Sequence, residues 1–236
     1  MKLILIRHGD PDYLHDDLTR AGVAEAKALN KRVRKWAEHG PFNAYVSPLG
    51  RAQRTAELAL KHTGITPATL PWLEEFRGRL PDGEICWDLP PQLYADTWEL
   101  HDAHAWQDAA LYQNTNVKAI HQETAQGLDD LLEDYGYVRD GNLYRPRPDA
   151  EHDAVAVLFC HLALSLDCLS HLLNIAAPLL WQQTFLAPAS VTILGTEEYV
   201  PGCAQFRMQT MGDTSHLAMA GVPVSSSGYF GKVFPG

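Results

Sequence analysis

The chain opens on a run of apolar residues, Leu3-Ile4-Leu5-Ile6, that stops abruptly at Arg7-His8-Gly9-Asp10. A short apolar run with no polar alternation reads as a strand buried on both faces, here Lys2–Ile6. The pattern returns at Phe42–Val46, which ends on Ser47-Pro48-Leu49-Gly50-Arg51, and at Ala154–Phe159, which ends on Cys160-His161. Between the first two strands, Val23, Ala26, Leu29, Val33 and Trp36 step by three and four. That spacing predicts a helix from Arg20 to Glu38, N-capped by Thr19 and closed by Gly40-Pro41, with one face packed on the sheet. A second helix runs through Arg54 to about His62. A third covers Leu162–Leu173, and 117–135 carry helical spacing through Val117, Ile120, Leu128, Leu131 and Leu132. Ser190–Gly195 and Ala204–Met211 read as two further strands, antiparallel to each other. Asn142–Pro148 reads as a loop, and the tail from Ala218 as irregular.

Strand, helix, strand, helix implies parallel strands joined by right-handed crossovers. The expected fold is a three-layer α/β sandwich, a mostly parallel central sheet flanked by helices. Residues 79–116 break the pattern, with tryptophan, aspartate and proline and no clean period. They read as the core of a lid or insertion at about 79–150 over one sheet edge, within a single domain spanning 1–236.

Three strands thus end in polar side chains: Arg7-His8, Ser47 to Arg51, and His161. Ligands of open α/β sheets bind at the carboxyl ends of the strands. Parallel strands would gather two histidines and two arginines at one edge, a cluster that calls for an anion. A phosphoryl group fits, since arginine forks match its oxygens in pairs.

Composition narrows the partners. With a formal net charge of −10, the 236-residue chain is not expected to bind nucleic acid or an anionic membrane surface. Its four cysteines include no CxxC pair, the usage of a cytoplasmic protein, and no apolar run is long enough for a membrane span. His101-Asp102-Ala103-His104 reads as surface rather than as a metal site, and neither metal nor cofactor is expected. Oligomeric state is not legible.

These segments resemble the histidine phosphatase superfamily, the group that includes cofactor-dependent phosphoglycerate mutases, and within it an uncharacterised bacterial branch. The likeness is carried by Arg7-His8-Gly9, Leu18-Thr19-Arg20-Ala21-Gly22, Ser47-Pro48-Leu49-Gly50-Arg51-Ala52, Leu73-Glu74-Glu75, His161, and Gly212-Asp213-Thr214-Ser215-His216-Leu217. The resemblance implies a metal-independent phosphomonoesterase acting on a small phosphorylated metabolite. His8 would be the nucleophile that becomes phosphohistidine. Arg7, Arg51 and His161 would bind phosphate, and Glu75 would be the proton donor, with Glu74 competing for that role. A neutral imidazole attacks near pH 7 without a separate base, and the clamp supplies most of the catalysis. Glu75 would carry a raised pKa, held up by the phosphate dianion.

Arg77, Arg79, Asp10 and Tyr13 are further candidates for substrate contact. Leu162-Ala163 stand where the family usually has glycine after its second histidine, and Phe76-Arg77-Gly78-Arg79 replaces the family's usual sequel to the acid. Two alternatives accompany the phosphatase reading: a mutase that returns the phosphoryl group to substrate, and a phospholigand-binding module with weakened catalysis. Few lysines in an acidic lid favour hydrolysis over the mutase.

Overall fold

The structure, a computed structural model, describes residues 1–228. Ten strands form: β1 (Lys2–Arg7), β2 (Pro11–Asp12), β3 (Asp17–Leu18), β4 (Asn43–Val46), β5 (Ala68–Thr69), β6 (Tyr137–Asp140), β7 (Leu143–Pro146), β8 (Val155–Cys160), β9 (Val191–Val200) and β10 (Cys203–Asp213). Seven helices accompany them among the described residues: α1 (Arg20–His39), α2 (Gly50–Ala59), α3 (Pro91–Asp96), α4 (Val117–Asp134), α5 (Leu162–Leu173), α6 (Ala177–Gln183) and α7 (Ser215–Ala220). Eight strands make the main sheet in the order β5-β4-β8-β1-β9-β10-β7-β6, and β2 and β3 form a small hairpin. The β5-β4-β8-β1 half is parallel, while β9, β10, β7 and β6 run antiparallel to their neighbours.

Strand β1 shows why the layers form. Its side chains alternate between faces. Ile4 and Ile6 join Leu29, Val33, Ala52 and Ala56 under α1 and α2. Leu3 and Leu5 point the other way, into the larger core with Leu128, Leu132, Leu166 and Trp181 from α4, α5 and α6. The result is helix, sheet, helix, as the sequence pattern predicts.

Helix α1 begins where expected, with the Thr19 hydroxyl accepting from Gly22 N–H at 3.2 Å. Helix α2 stops at Ala59, short of the expected His62, which adopts a left-handed φ of 66° in the following turn. The loop expected at 142–148 is instead strand β7. Gly141 and Asn142, the former at φ 60°, reverse the chain into a hairpin. Tyr144 then packs edge-on against Phe206 at 5.4 Å and donates its hydroxyl to Asp129. The proline that argues against a strand sits at its last position, where a missing N–H costs nothing.

Residues 79–116 hold only α3 and three single turns of 3-10 helix, at Trp98–His101, Trp106–Asp108 and Ala110–Tyr112. Trp106 is their buried anchor, edge-on to Trp181 at 5.3 Å and to His121 at 4.8 Å, whereas Trp98 is exposed. Residues 117–146 supply α4, β6 and β7, so the irregular chain over the sheet ends near 116. No described helix is long and apolar enough to cross a membrane.

Candidate active site

Register aligns the strand ends. Arg7 pairs with Cys160 in the parallel β1–β8 ladder, and Val46 pairs with Phe159 in β4–β8. The ladder continues one step further, with His8 N–H donating to Cys160 O at 2.9 Å and Ser47 N–H to Phe159 O at 3.0 Å. His8 and His161 therefore leave the sheet side by side, their ring centroids 5.2 Å apart. Both are buried, with Arg7 and Arg51 buried around them. Residues 8 and 161, far apart in sequence, share one site.

Each imidazole is oriented by a defined partner. The Nδ1–H of His8 donates to Gly9 O at 2.7 Å, which leaves the lone pair on Nε2. Burial and the nearby Arg7 push the His8 pKa well below its ordinary value, so the ring is neutral at pH 7. His161 shares a 2.7 Å hydrogen bond between Nε2 and Ser47 Oγ, while its Nδ1 is buried without a partner among the described residues. Burial first, then His8 and the arginines, hold its pKa well down too.

The arginines are fixed from behind. Arg51 donates from Nη1 to Asp16 Oδ1 at 2.6 Å, and the other oxygen of that carboxylate accepts from Gly50 N–H at 2.6 Å. Arg7 donates to Leu186 O at 2.7 Å and to Ser227 O at 2.9 Å. The Nε–H groups of both arginines are buried with no partner among the described residues. Leaving a buried donor unpaired costs about 1–3 kcal/mol. Together with Nδ1 of His161, these are three unmet polar positions around His8.

Glu75 follows a single 3-10 turn at Pro71–Leu73. Its Oε1 accepts from Phe76 N–H at 2.9 Å and from Leu164 N–H at 3.0 Å, which ties it to the first turn of α5 just past His161. Desolvation raises its pKa and outweighs the two backbone donors and the two arginines, which pull it down. The direction is the one expected, and among this chain's own groups burial supplies it. Glu74, the competing carboxylate, is instead in an ion pair with Arg77 at 2.7 Å.

The other candidates divide. Tyr13, largely exposed, lies against the Arg51 guanidinium, 5.4 Å from ring centroid to Cζ. Arg77 is exposed but near enough to depress the His161 pKa. Arg79 donates to Gly83 O within its own turn. Asp10 turns outward: its carboxylate accepts from the Thr19 hydroxyl at 2.6 Å and from Ser225 Oγ. It frames the loop through these two contacts.

Several supporting residues carry no sequence signal. Asp16 lies in a polar loop, and Glu25 on an amphipathic helix reads as a solvent-facing carboxylate. Glu25 is fully buried, accepting from Asp10 N–H at 2.7 Å and Ser225 N–H at 3.3 Å. Thr55, next to the matched Ser-Pro-Leu segment, accepts from Gly9 N–H at 3.0 Å. Gly9 and Gly22 meet face to face. A Cβ on Gly9 would lie 2.7 Å from Gly22 O, and one on Gly22 would lie 2.3 Å from Asp10 O. Among the described residues no group of three or more His, Cys, Asp or Glu side chains is placed to hold a metal ion.

The sequence model of the histidine phosphatase superfamily (branch 1) matches residues 3–138. The chain belongs to that superfamily. Solved structures of this superfamily's fold agree with the architecture. Phosphoserine phosphatase from Entamoeba histolytica, solved as a mutant with phosphoserine, superposes with a TM-score of 0.60 at 17% identity, covering 92% of this chain and 98% of its own. A mycobacterial glucosyl-3-phosphoglycerate phosphatase gives 0.61 at 18%, covering 89% and 98%. YhfR of Bacillus stearothermophilus gives 0.60 at 20%, covering 92% and 98%. No curated protein matches the sequence.

Proposed function

We propose that this superfamily member is a phosphomonoesterase that works through phosphohistidine on His8. The observation that carries the reading is the set of buried, unpartnered polar nitrogens on Arg7, Arg51 and His161 around a neutral imidazole. A phosphoryl group would meet all three. Phosphatases among the similar structures, one with phosphoserine bound, lend support to a small phosphorylated substrate.

In the first half-reaction, the Nε2 lone pair of His8 forms a bond to phosphorus as the ester P–O bond breaks. The departing alkoxide takes its proton from Glu75, whose raised pKa keeps that proton available. In the second, water attacks phosphorus, its proton goes to the Glu75 carboxylate, and the P–N bond breaks to give phosphate and free His8. The two arginines hold the equatorial oxygens throughout, and such fixed charge is the main source of rate in phosphoryl transfer. His161 donates to the same oxygens from Nδ1: the Ser47 hydroxyl, already accepting from Leu49 N–H at 3.2 Å, has its proton to give to Nε2. The steps use this chain's residues alone, so the reading needs no metal or cofactor. Four free cysteines among the described residues suit a reducing, cytoplasmic setting.

The test is phosphate release from p-nitrophenyl phosphate with EDTA present, together with trapping of the acid-labile phosphoenzyme. Wild type is expected to release phosphate, and His8→Ala to lose both turnover and label. Turnover undiminished in His8→Ala, or, with 3-phosphoglycerate as the substrate, a product that keeps its phosphate at another hydroxyl, would overturn the reading.

A further inference from the structure

A cavity of about 310 Å³ lies beside the first turn of α5, which begins just after His161. Its walls include Trp87, Leu162, Leu166, Trp181 and Phe185, and among the described residues its lining carries no charged side chain. Leu162 directly follows His161, and the Phe185 ring lies 5.6 Å from the Arg7 guanidinium carbon. Trp181 stacks on Phe76, the residue after Glu75, with centroids 4.8 Å apart. The cavity therefore lies next to His161, is separated from the Arg7 guanidinium by the Phe185 ring, and is one ring removed from the segment that carries the acid.

We infer that this cavity takes the leaving alcohol and selects one that is uncharged and largely apolar. The inference rests on the phosphatase reading above. The walls are held firm. Trp181 Nε1–H donates to Ala163 O at 3.0 Å and Trp87 Nε1–H to Phe76 O at 3.0 Å, so both indoles present only their apolar faces to the space. The amides at its rim are committed as well: Gln182 Nε2–H donates to Trp87 O at 3.3 Å and Gln183 Nε2–H to Tyr94 Oη at 2.9 Å. A dry apolar cavity of about 150 Å³ holds benzene, so this volume suits one or two rings or an equivalent aliphatic group. A carboxylate placed here would lose its water, and Arg7, behind Phe185, is already committed to Leu186 O, Ser227 O and the phosphate itself. The clamp binds the phosphate of any ester, and the discrimination lies in this neighbouring space.

The measurement is kcat/KM for phosphate release from 2-phenylethyl phosphate, phosphoserine and 3-phosphoglycerate. All three have aliphatic leaving alcohols, so the contrast reports the pocket rather than leaving-group reactivity. p-Nitrophenyl phosphate serves as the reference for an intact clamp. The expected result is a preference of at least about tenfold for the phenylethyl ester, the scale on which an apolar pocket discriminates. Leu162→Arg and, at the rim, Thr184→Lys each place a cation against the space. Each is expected to shift the ratio of phenylethyl ester to phosphoglycerate toward phosphoglycerate by about tenfold. The Thr184 variant, on a partly exposed helix end, guards against a misfolded Leu162 variant. Equal or better use of the charged esters, or a ratio unmoved in variants that still turn over p-nitrophenyl phosphate, overturns the inference and leaves the phosphatase reading standing. No phosphate from any of the four esters overturns both.

Discussion

Burial at His8 and Glu75 acts in opposite chemical directions, and the pair divides the work of two half-reactions. Desolvation favours the unprotonated imidazole and the protonated carboxyl. For His8 the sign is that activity falls when pH drops through its lowered pKa, below the ordinary 6.5. For Glu75 activity falls as pH rises through its raised pKa, above the ordinary 4.5. A bell-shaped kcat/KM profile is expected, and Glu75→Gln should remove its alkaline limb while leaving the acid limb in place. The same variant should lose about 10²–10⁴ in kcat/KM on an aliphatic ester. The loss in kcat/KM on p-nitrophenyl phosphate should be far smaller, because nitrophenolate departs without a proton and the water-attack step that both esters share does not enter kcat/KM. Equal losses on both esters would deny Glu75 the role of acid.

At the scale of elements, the site depends on how firmly α5 is held, since that helix carries His161 at its N-terminus and the Leu164 N–H that fixes Glu75. Its anchor is Asp167, fully buried, whose Oδ1 meets Nδ1 of His121 from α4 at 2.8 Å. Desolvation works against the imidazolium here, but the Asp167 charge and hydrogen bond outweigh it and raise the His121 pKa. The pair's contribution to stability is therefore complete below the ordinary histidine range and fades as pH rises through the raised value. Replacing His121 by leucine strands a buried carboxylate, and urea denaturation is expected to show a loss of about 3–5 kcal/mol, the cost of breaking a buried pair. A loss below about 1 kcal/mol would show that the pair does not hold α5.

Elements also show what was legible from sequence. Strand ends were, because apolar runs stop abruptly at polar residues and register follows from parallel pairing. Leu162–Leu173 matches to the residue. The β6–β7 hairpin was not, because its buried face rests on two residues, Tyr137 and Tyr144, whose partners Thr196, Asp129 and Phe206 are distant in sequence. Helices α6 and α7 span seven and six residues, too few turns for a period to register. The residues that would form the clamp were readable as motif members. Asp16 and Glu25, which brace that clamp, were not, since a carboxylate gains a buried role only through tertiary contacts.

For the whole molecule, a chain of net charge −10 encloses two guanidinium groups at the ends of β1, β4 and β8. A ligand that fills the clamp should therefore register as global stability. Vanadate or inorganic phosphate at a hundred times its Kd adds about 2.7 kcal/mol. At this chain length each kcal/mol is worth about 2–4 °C in Tm. A rise of about 5–10 °C is expected in differential scanning fluorimetry and should be much reduced in Arg51→Ala. A wild-type Tm indifferent to both anions would count against the clamp.

The two glycines that press together beneath His8 set a further limit. Neither can take even a methyl group while the facing backbone, Gly22 for the first and Asp10 for the second, stays where it is. Gly22→Ala is expected to cost about 3 kcal/mol by overpacking and to displace the nucleophile. No single substitution offers a passable first step at either position, so drift here would demand a concerted shift of two chain segments. The spot behaves as a ratchet: a lineage that once brought these backbones into contact can refine everything around the nucleophile, yet has almost no gradual path back out.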